Sequence, residues 1–238
     1  MGSAPTQQLQ IGGLTLPQLP GQRCVLIDLD DTLIDRSGAF TLWCSQFVSS
    51  RHLDQSAMSR LHEFDNRSLR SREDFTALVD HEYGIGVSPE EFMVDYRATM
   101  TSNTRMYDGV PQALAELRAA GWKLWIVTNG EVAVQEAKIA AINLGELVDG
   151  WVISAAVGLR KPGREIFDLA RLRAGAVAEH DTWMVGDNED ADIAGGHGAG
   201  LKTAWVSHSR RWPHEGWNPT ILRVDAASAL REVLGRAD

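Results

Sequence analysis

The 238-residue sequence is short of cysteine, of positive charge and of long apolar runs. Its two cysteines, Cys24 and Cys44, stand in apolar surroundings without metal-ligand spacing. That argues against a disulfide framework or a zinc site and for two buried free thiols in a reducing compartment. Lys and Arg number 23 against 32 Asp and Glu, a net charge of −9. The deficit argues against a nucleic-acid polymer as the main partner, because phosphate backbones demand clustered cations. A small anion stays admissible, since the field inside one pocket can oppose the global charge. No apolar run approaches the ~20 residues of a membrane span, and no charged-then-apolar secretion signal opens the chain. A cytoplasmic protein with no membrane partner is expected.

What is present is ordinary for a globular domain, with 44% hydrophobic and 23% charged residues. Residues 1–21, rich in Gly, Pro and Gln, read as a flexible leader. Short apolar runs bounded by turn residues follow: Cys24 to Ile27, Lys123 to Thr128, Trp151 to Ser154, Thr182 to Gly186 and Lys202 to Val206. Such runs fit strands buried on both faces of a parallel sheet. Helical patterns lie between them, at Val110–Ala120 with Gly121 just past its end, at Glu131–Ile142 and from Pro162 through Arg173. Thr220–Val224 reads as an edge strand before a last helix at 226–236. Alternating strand and helix imply an α/β fold with a doubly wound, Rossmann-like parallel sheet. The alternation breaks between the first strand and residue 105, where helix-like segments at 38–52, 55–69, 72–83 and 88–101 appear without a strand. The expected domains are therefore a core of 22–36 and 106–238 and an inserted helical cap of 37–105.

Chemistry-bearing residues gather at the strand ends. Asp28, Asp30 and Asp31 crowd the end of the first strand, and three carboxylates so placed are tolerable beside a divalent cation with a taste for oxygen, such as Mg²⁺. Thr128-Asn129-Gly130 offers a hydroxyl and backbone N–H groups at a helix start, which suit phosphate oxygens. Lys161 projects from the loop before a core helix and can neutralise a phosphoryl group. Asp187 ends the fourth strand as Asp28 ends the first, and Asp192 follows five residues on. Each feature alone has a plainer reading: a solvated acidic turn, a helix cap, a surface lysine, an acidic first helical turn. Together they fall at the carboxyl ends of parallel strands, where open α/β sheets bind ligands.

The segments Asp28-Leu29-Asp30-Asp31-Thr32, Thr128-Asn129-Gly130, Lys161-Pro162 and Gly186-Asp187 through Asp192 resemble the four motifs of the haloacid dehalogenase superfamily, over about residues 23–36 and 106–206. The resemblance implies a Mg²⁺-dependent phosphatase acting on a small phosphorylated metabolite. It implies Asp28 as nucleophile and Asp30 as acid and then base, the latter also touching the metal through its carbonyl. It further implies Thr128 and the Asn129 backbone as phosphate holders, Lys161 as the charge-neutralising cation and Asp187 as metal ligand. Asp192 would act through water or by orienting Lys161, and Thr32 would fix the first loop. Asp30 decides within the superfamily, because true dehalogenases resemble this chain but lack an acid there and need no metal. Alternatives are a phosphomutase with the same core motifs, a signalling receiver domain, and a non-catalytic phosphate-binding protein.

Arg36, Trp43 and Arg67 through Arg72 are candidates for recognising substrate, set against a solvated helix face and a core tryptophan. The loop from Ser207 to Pro219, with Arg210, Arg211, Trp212, His214 and Trp217, reads as packing over the core, and His197 as a helix residue without a catalytic role. The substrate, and a choice between monomer and dimer, stay open.

Overall fold

Strands form where the apolar runs predict them. In the computed structural model, which describes residues 10–11, 14–15, 23–67, 72–176 and 182–236, a six-stranded sheet contains β3 (Cys24–Ile27), β4 (Lys123–Thr128), β5 (Gly150–Ile153), β6 (Thr182–Gly186), β7 (Lys202–Val206) and β8 (Ile221–Arg223). The order is β5-β4-β3-β6-β7-β8 and every neighbouring pair is parallel. All residues of β3 and β6 are buried, as strands covered on both faces must be. A separate antiparallel pair, β1 (Gln10–Ile11) with β2 (Leu14–Thr15), lies in the expected leader, whose other residues fall outside the described set.

Helices follow their punctuation. The helix Val110–Ala119 has Pro111 in its first turn, and Gly121 just beyond it takes φ +83°, a conformation that costs glycine least. The core helix read from Pro162 begins instead at Arg164 and ends at Ala174, so Lys161 and Pro162 lie in the preceding loop. Behind the sheet, Ile166, Phe167 and Ala170 of that helix pack with Leu26, Val127, Val152 and Met184.

The chain divides into two compact units, one of residues 1–33, 107–132 and 144–238, the other of 34–106 and 133–143. Among the described residues the second holds most of the helix Val132–Ala141 together with the helices Arg36–Ser50, Ser56–Arg67, Arg72–Tyr83 and Pro89–Ser102. The last opens on a capping box, in which Ser88 Oγ accepts from the Glu91 N–H and the Glu91 carboxylate accepts from the Ser88 N–H. This unit's core is aromatic. Trp43 is buried with its ring 5.5 Å from Phe40, 5.1 Å from Phe47, 5.6 Å from Phe75 and 5.0 Å from Tyr96. Trp43 is thus a core residue, held by edge-to-face and stacked contacts. Arg36 and Arg72 both bind Asp65, at 2.6 and 2.8 Å. The side chains between Arg67 and Ser71 lie outside the described residues.

Candidate active site

Sheet register brings the acidic loops together. Ile27 pairs with Ile126 on one side and Val185 on the other, so Asp28, Thr128 and Asp187 all leave at one edge. Asp28 N–H still donates to Val185 O at 2.9 Å, which pins the residue to the central strand pair. Asp28 is buried and so is Lys161, whose Nζ lies 2.5 Å from Asp28 Oδ1 and 2.6 Å from Asp192 Oδ1. Asp192 reaches inward from a π-helical turn, Glu189–Ala194, and its other oxygen accepts from the Asn188 N–H at 3.1 Å. A side chain at Gly186 would collide with it, since a Cβ there lies 2.3 Å from Asp192 Oδ2 and 2.5 Å from Asp192 Cβ. Gly186 is therefore needed for close approach.

Asn129 is used in a way its sequence position did not reveal. Its side-chain amide donates to Lys161 O and accepts from Lys161 N–H, both at 3.0 Å. This reciprocal pair fixes the main chain from which the Lys161 ammonium projects. Thr128 is buried at the end of β4. The Thr32 N–H closes the first loop onto Leu29 O, while its buried hydroxyl has no hydrogen-bond partner among the described residues.

Burial pushes the Asp28 carboxyl up to about 7, with the charges of Asp192 and Asp30 adding and Lys161 opposing. Asp187 is pushed to about 9, first by burial and then by Asp28, Asp192 and Asp31, against Arg210 alone. Burial disfavours the charge on Lys161, but Asp192 and Asp28 outweigh it and hold the ammonium above the ordinary lysine range. One carboxylate oxygen from each of Asp28, Asp187 and Asp192 lies within 4.8 Å of the others. Three carboxylates against one ammonium leave two negative charges, which one divalent cation cancels. An all-oxygen donor set of this charge fits Mg²⁺.

Among the other candidates, His197 sits on the short helix Gly195–Gly198 and stacks on Trp217 at 4.5 Å. Trp205 of β7 and His208 and Arg210 of the loop after it bond to the acidic loops, so this segment reaches beyond packing over the core. No helix among the described residues is long and apolar enough to cross a membrane.

Two acidic loops bridged by a buried lysine, at the carboxyl edge of a doubly wound sheet, define an α/β enzyme. The sequence pattern of the haloacid dehalogenase-like hydrolases matches residues 22–200, and the chain belongs to that family. Among its relatives is pyrimidine 5'-nucleotidase YjjG of Escherichia coli (strain K12), 39% identical over 127 residues, covering 52% of this chain and 56% of that protein. That match spans little more than half of YjjG. Glyceraldehyde 3-phosphate phosphatase of Pyrococcus abyssi is 31% identical over 197 residues, 79% of this chain and 82% of that protein. Among solved structures, the HAD-hydrolase YfnB of Bacillus subtilis, bound to magnesium, superposes with a TM-score of 0.76 at 23% identity, covering 90% of this chain and 99% of that one. At that identity the likeness speaks to the fold.

Proposed function

We propose that the protein is a Mg²⁺-dependent phosphatase of small phosphate monoesters that works through an aspartyl-phosphate on Asp28. The observation that carries this reading is the buried Lys161 ammonium held between Asp28 and Asp192, with Asp187 in the same cluster. It supports a carboxylate nucleophile fixed by a cation, beside a cluster able to take a divalent ion. The phosphatase names of the relatives favour the same chemistry.

Asp28 attacks phosphorus through one carboxylate oxygen while Asp30 protonates the departing alcohol oxygen. Asp30 then takes a proton from water, whose oxygen attacks phosphorus and frees Asp28 and inorganic phosphate. Thr128 and the backbone at Asn129 hold phosphoryl oxygens, and Lys161 offsets their charge. Asp28, the Asp30 carbonyl and Asp187 would hold Mg²⁺, which supplies Lewis-acid neutralisation of the phosphoryl group. Asp192 orients Lys161. Residues 37–105 are taken as the cap that selects substrate, and the buried free thiols Cys24 and Cys44 fit a reducing cytoplasm.

The test is phosphate release across phosphorylated metabolites with Mg²⁺, in wild type and Asp28→Asn. Loss of turnover in the variant with its fold intact is expected. Undiminished metal-dependent release in Asp28→Asn contradicts the nucleophile, and recovery of an isomerised phosphate ester in place of inorganic phosphate identifies a mutase.

A further inference from the structure

The segment from Trp205 to Arg210 makes hydrogen bonds onto both acidic loops. Trp205 is fully buried, and its indole N–H donates to the main-chain oxygen of Asp187 at 2.9 Å. Arg210 donates to that same oxygen at 2.5 Å and to Asp187 Oδ2 at 3.2 Å, and a second guanidinium nitrogen lies 3.2 Å from Glu189. The two donors occupy both lone pairs of one carbonyl. On the other side, His208 Nε2 lies 2.6 Å from the main-chain oxygen of Asp31. A carbonyl only accepts, so the ring carries its proton on Nε2 in this contact.

The backbone between these contacts is strained. His208 and Ser209 follow one another with φ of 47° and 66°, and Asp31 opposite has φ 55°, all left-handed and none of them glycine. Such conformations persist only where surrounding contacts over-determine them, and they cluster at functional sites. Here the turn sends His208 to one loop and Arg210 to the other. Its far side is anchored by rings: Trp212 meets Trp205 at 5.1 Å and donates to Trp217 O at 2.9 Å, while Trp217 stacks on His197.

We propose that Trp205, His208 and Arg210 are positioning residues, a brace that ties the loop of Asp28 to Asp31 to the loop of Asp187 and so sets the carboxylate spacing for the divalent cation. This rests on the metal reading given above. Arg210 by its charge alone would repel a cation, but its side chain is 42% exposed, where water screens that repulsion. The hydrogen bonds to main-chain oxygens are what remain, and Trp205 and His208 supply them without a fixed charge.

The test titrates Mg²⁺ by calorimetry into metal-free wild type, Trp205→Phe, His208→Ala, His208→Gln and Asp187→Asn, with the Mg²⁺ dependence of phosphate release measured in parallel. Outer-shell partners of a metal site are worth 10–100-fold in metal affinity. Trp205→Phe, which keeps a ring but loses the N–H, and His208→Ala, an exposed position, are each expected to weaken Mg²⁺ binding on the order of tenfold. Turnover at saturating Mg²⁺ should recover towards wild type, a split that simple loss of folded protein would not give. His208→Gln retains a donor and should restore affinity. Unchanged affinity in both Trp205→Phe and His208→Ala, with wild type binding normally, overturns the brace alone. Absence of Mg²⁺ binding by wild type, or unchanged binding by Asp187→Asn, overturns the metal reading and the brace with it.

Discussion

Removing divalent cations should make stability fall as pH rises through neutrality, opposite to the trend that salt-bridged carboxylates impose. Asp28 and Asp187 have ordinary carboxylate values of 3.8 when unfolded and about 7 and about 9 when folded. The folded chain therefore binds more protons than the unfolded chain across this range, so its advantage is present at acid pH and is lost as pH climbs through 7 and 9. At about 1.4 kcal/mol for each tenfold change in proton affinity, Asp28 alone corresponds to roughly 4 kcal/mol and Asp187 to roughly 7 kcal/mol. Their mutual repulsion is counted in both, and relaxation of the site lowers each, so a combined loss of about 5 kcal/mol between pH 5.5 and 9 is expected. Carboxylates held low, such as Asp65 and Asp149, act in the other direction, but theirs is complete above about pH 5 and leaves the window clear. The assay is urea unfolding in EDTA and in Mg²⁺ at several pH values, with Asp187→Asn as the control that should flatten the EDTA curve. Mg²⁺ should stabilise more at pH 9 than at pH 6. Metal-free stability that is flat or rising from pH 5.5 to 9 would refute the reasoning.

Lys161→Met leaves Asp28 and Asp192 buried without their cation; a loss of about 3–5 kcal/mol at pH 8 is expected, shrinking at pH 5, and chemical denaturation reads it. In Gly186→Ala the added methyl group meets Asp192 well inside contact distance, so overpacking of about 1–3 kcal/mol and a steep drop in turnover are expected together in melts and phosphate-release assays. Asp65→Asn removes the charge that Arg36 and Arg72 share. It should cost about 3 kcal/mol at neutral pH and much less below pH 4, where the wild type itself begins to lose this contribution.

The parts of this architecture that depend on local pattern were legible in the amino-acid order. Cys24 to Ile27 and, but for Thr182, Thr182 to Gly186 are apolar because both faces of those strands are covered, and their limits match the strands residue for residue. Asp28, Lys161 and Asp187 could be placed because each stands where a strand or loop ends. What could not be read depends on neighbours remote in sequence. Nothing about Asn129 announces that its amide binds the Lys161 backbone 32 residues away. That Asp192 orients Lys161 is implied by the resemblance, but the wide π-helical turn from which it does so has no sequence signature of its own. Arg36 looked available for substrate because its partner, Asp65, lies 29 residues on and in another helix. The tie from His208 to Asp31 spans 177 residues and depends on two left-handed residues that no propensity would choose.

The position of β3 in the sheet carries a consequence for how the chain comes into being. It precedes the other five strands of that sheet, yet sits between β4 and β6. Its hydrogen bonds to β6 wait for residues 182–186, and the contact from Asp28 to Lys161 closes a loop of 133 residues. Contacts of such long range form slowly, after more local ones have offset part of the entropy of closure. On the ribosome the strand that leads to Asp28 stays half-paired until residues 182–186 have emerged. A chain stopped before β6 exposes an apolar edge and lacks Asp187, so the acidic cluster at the sheet edge closes only after the segment beyond β6 has been made.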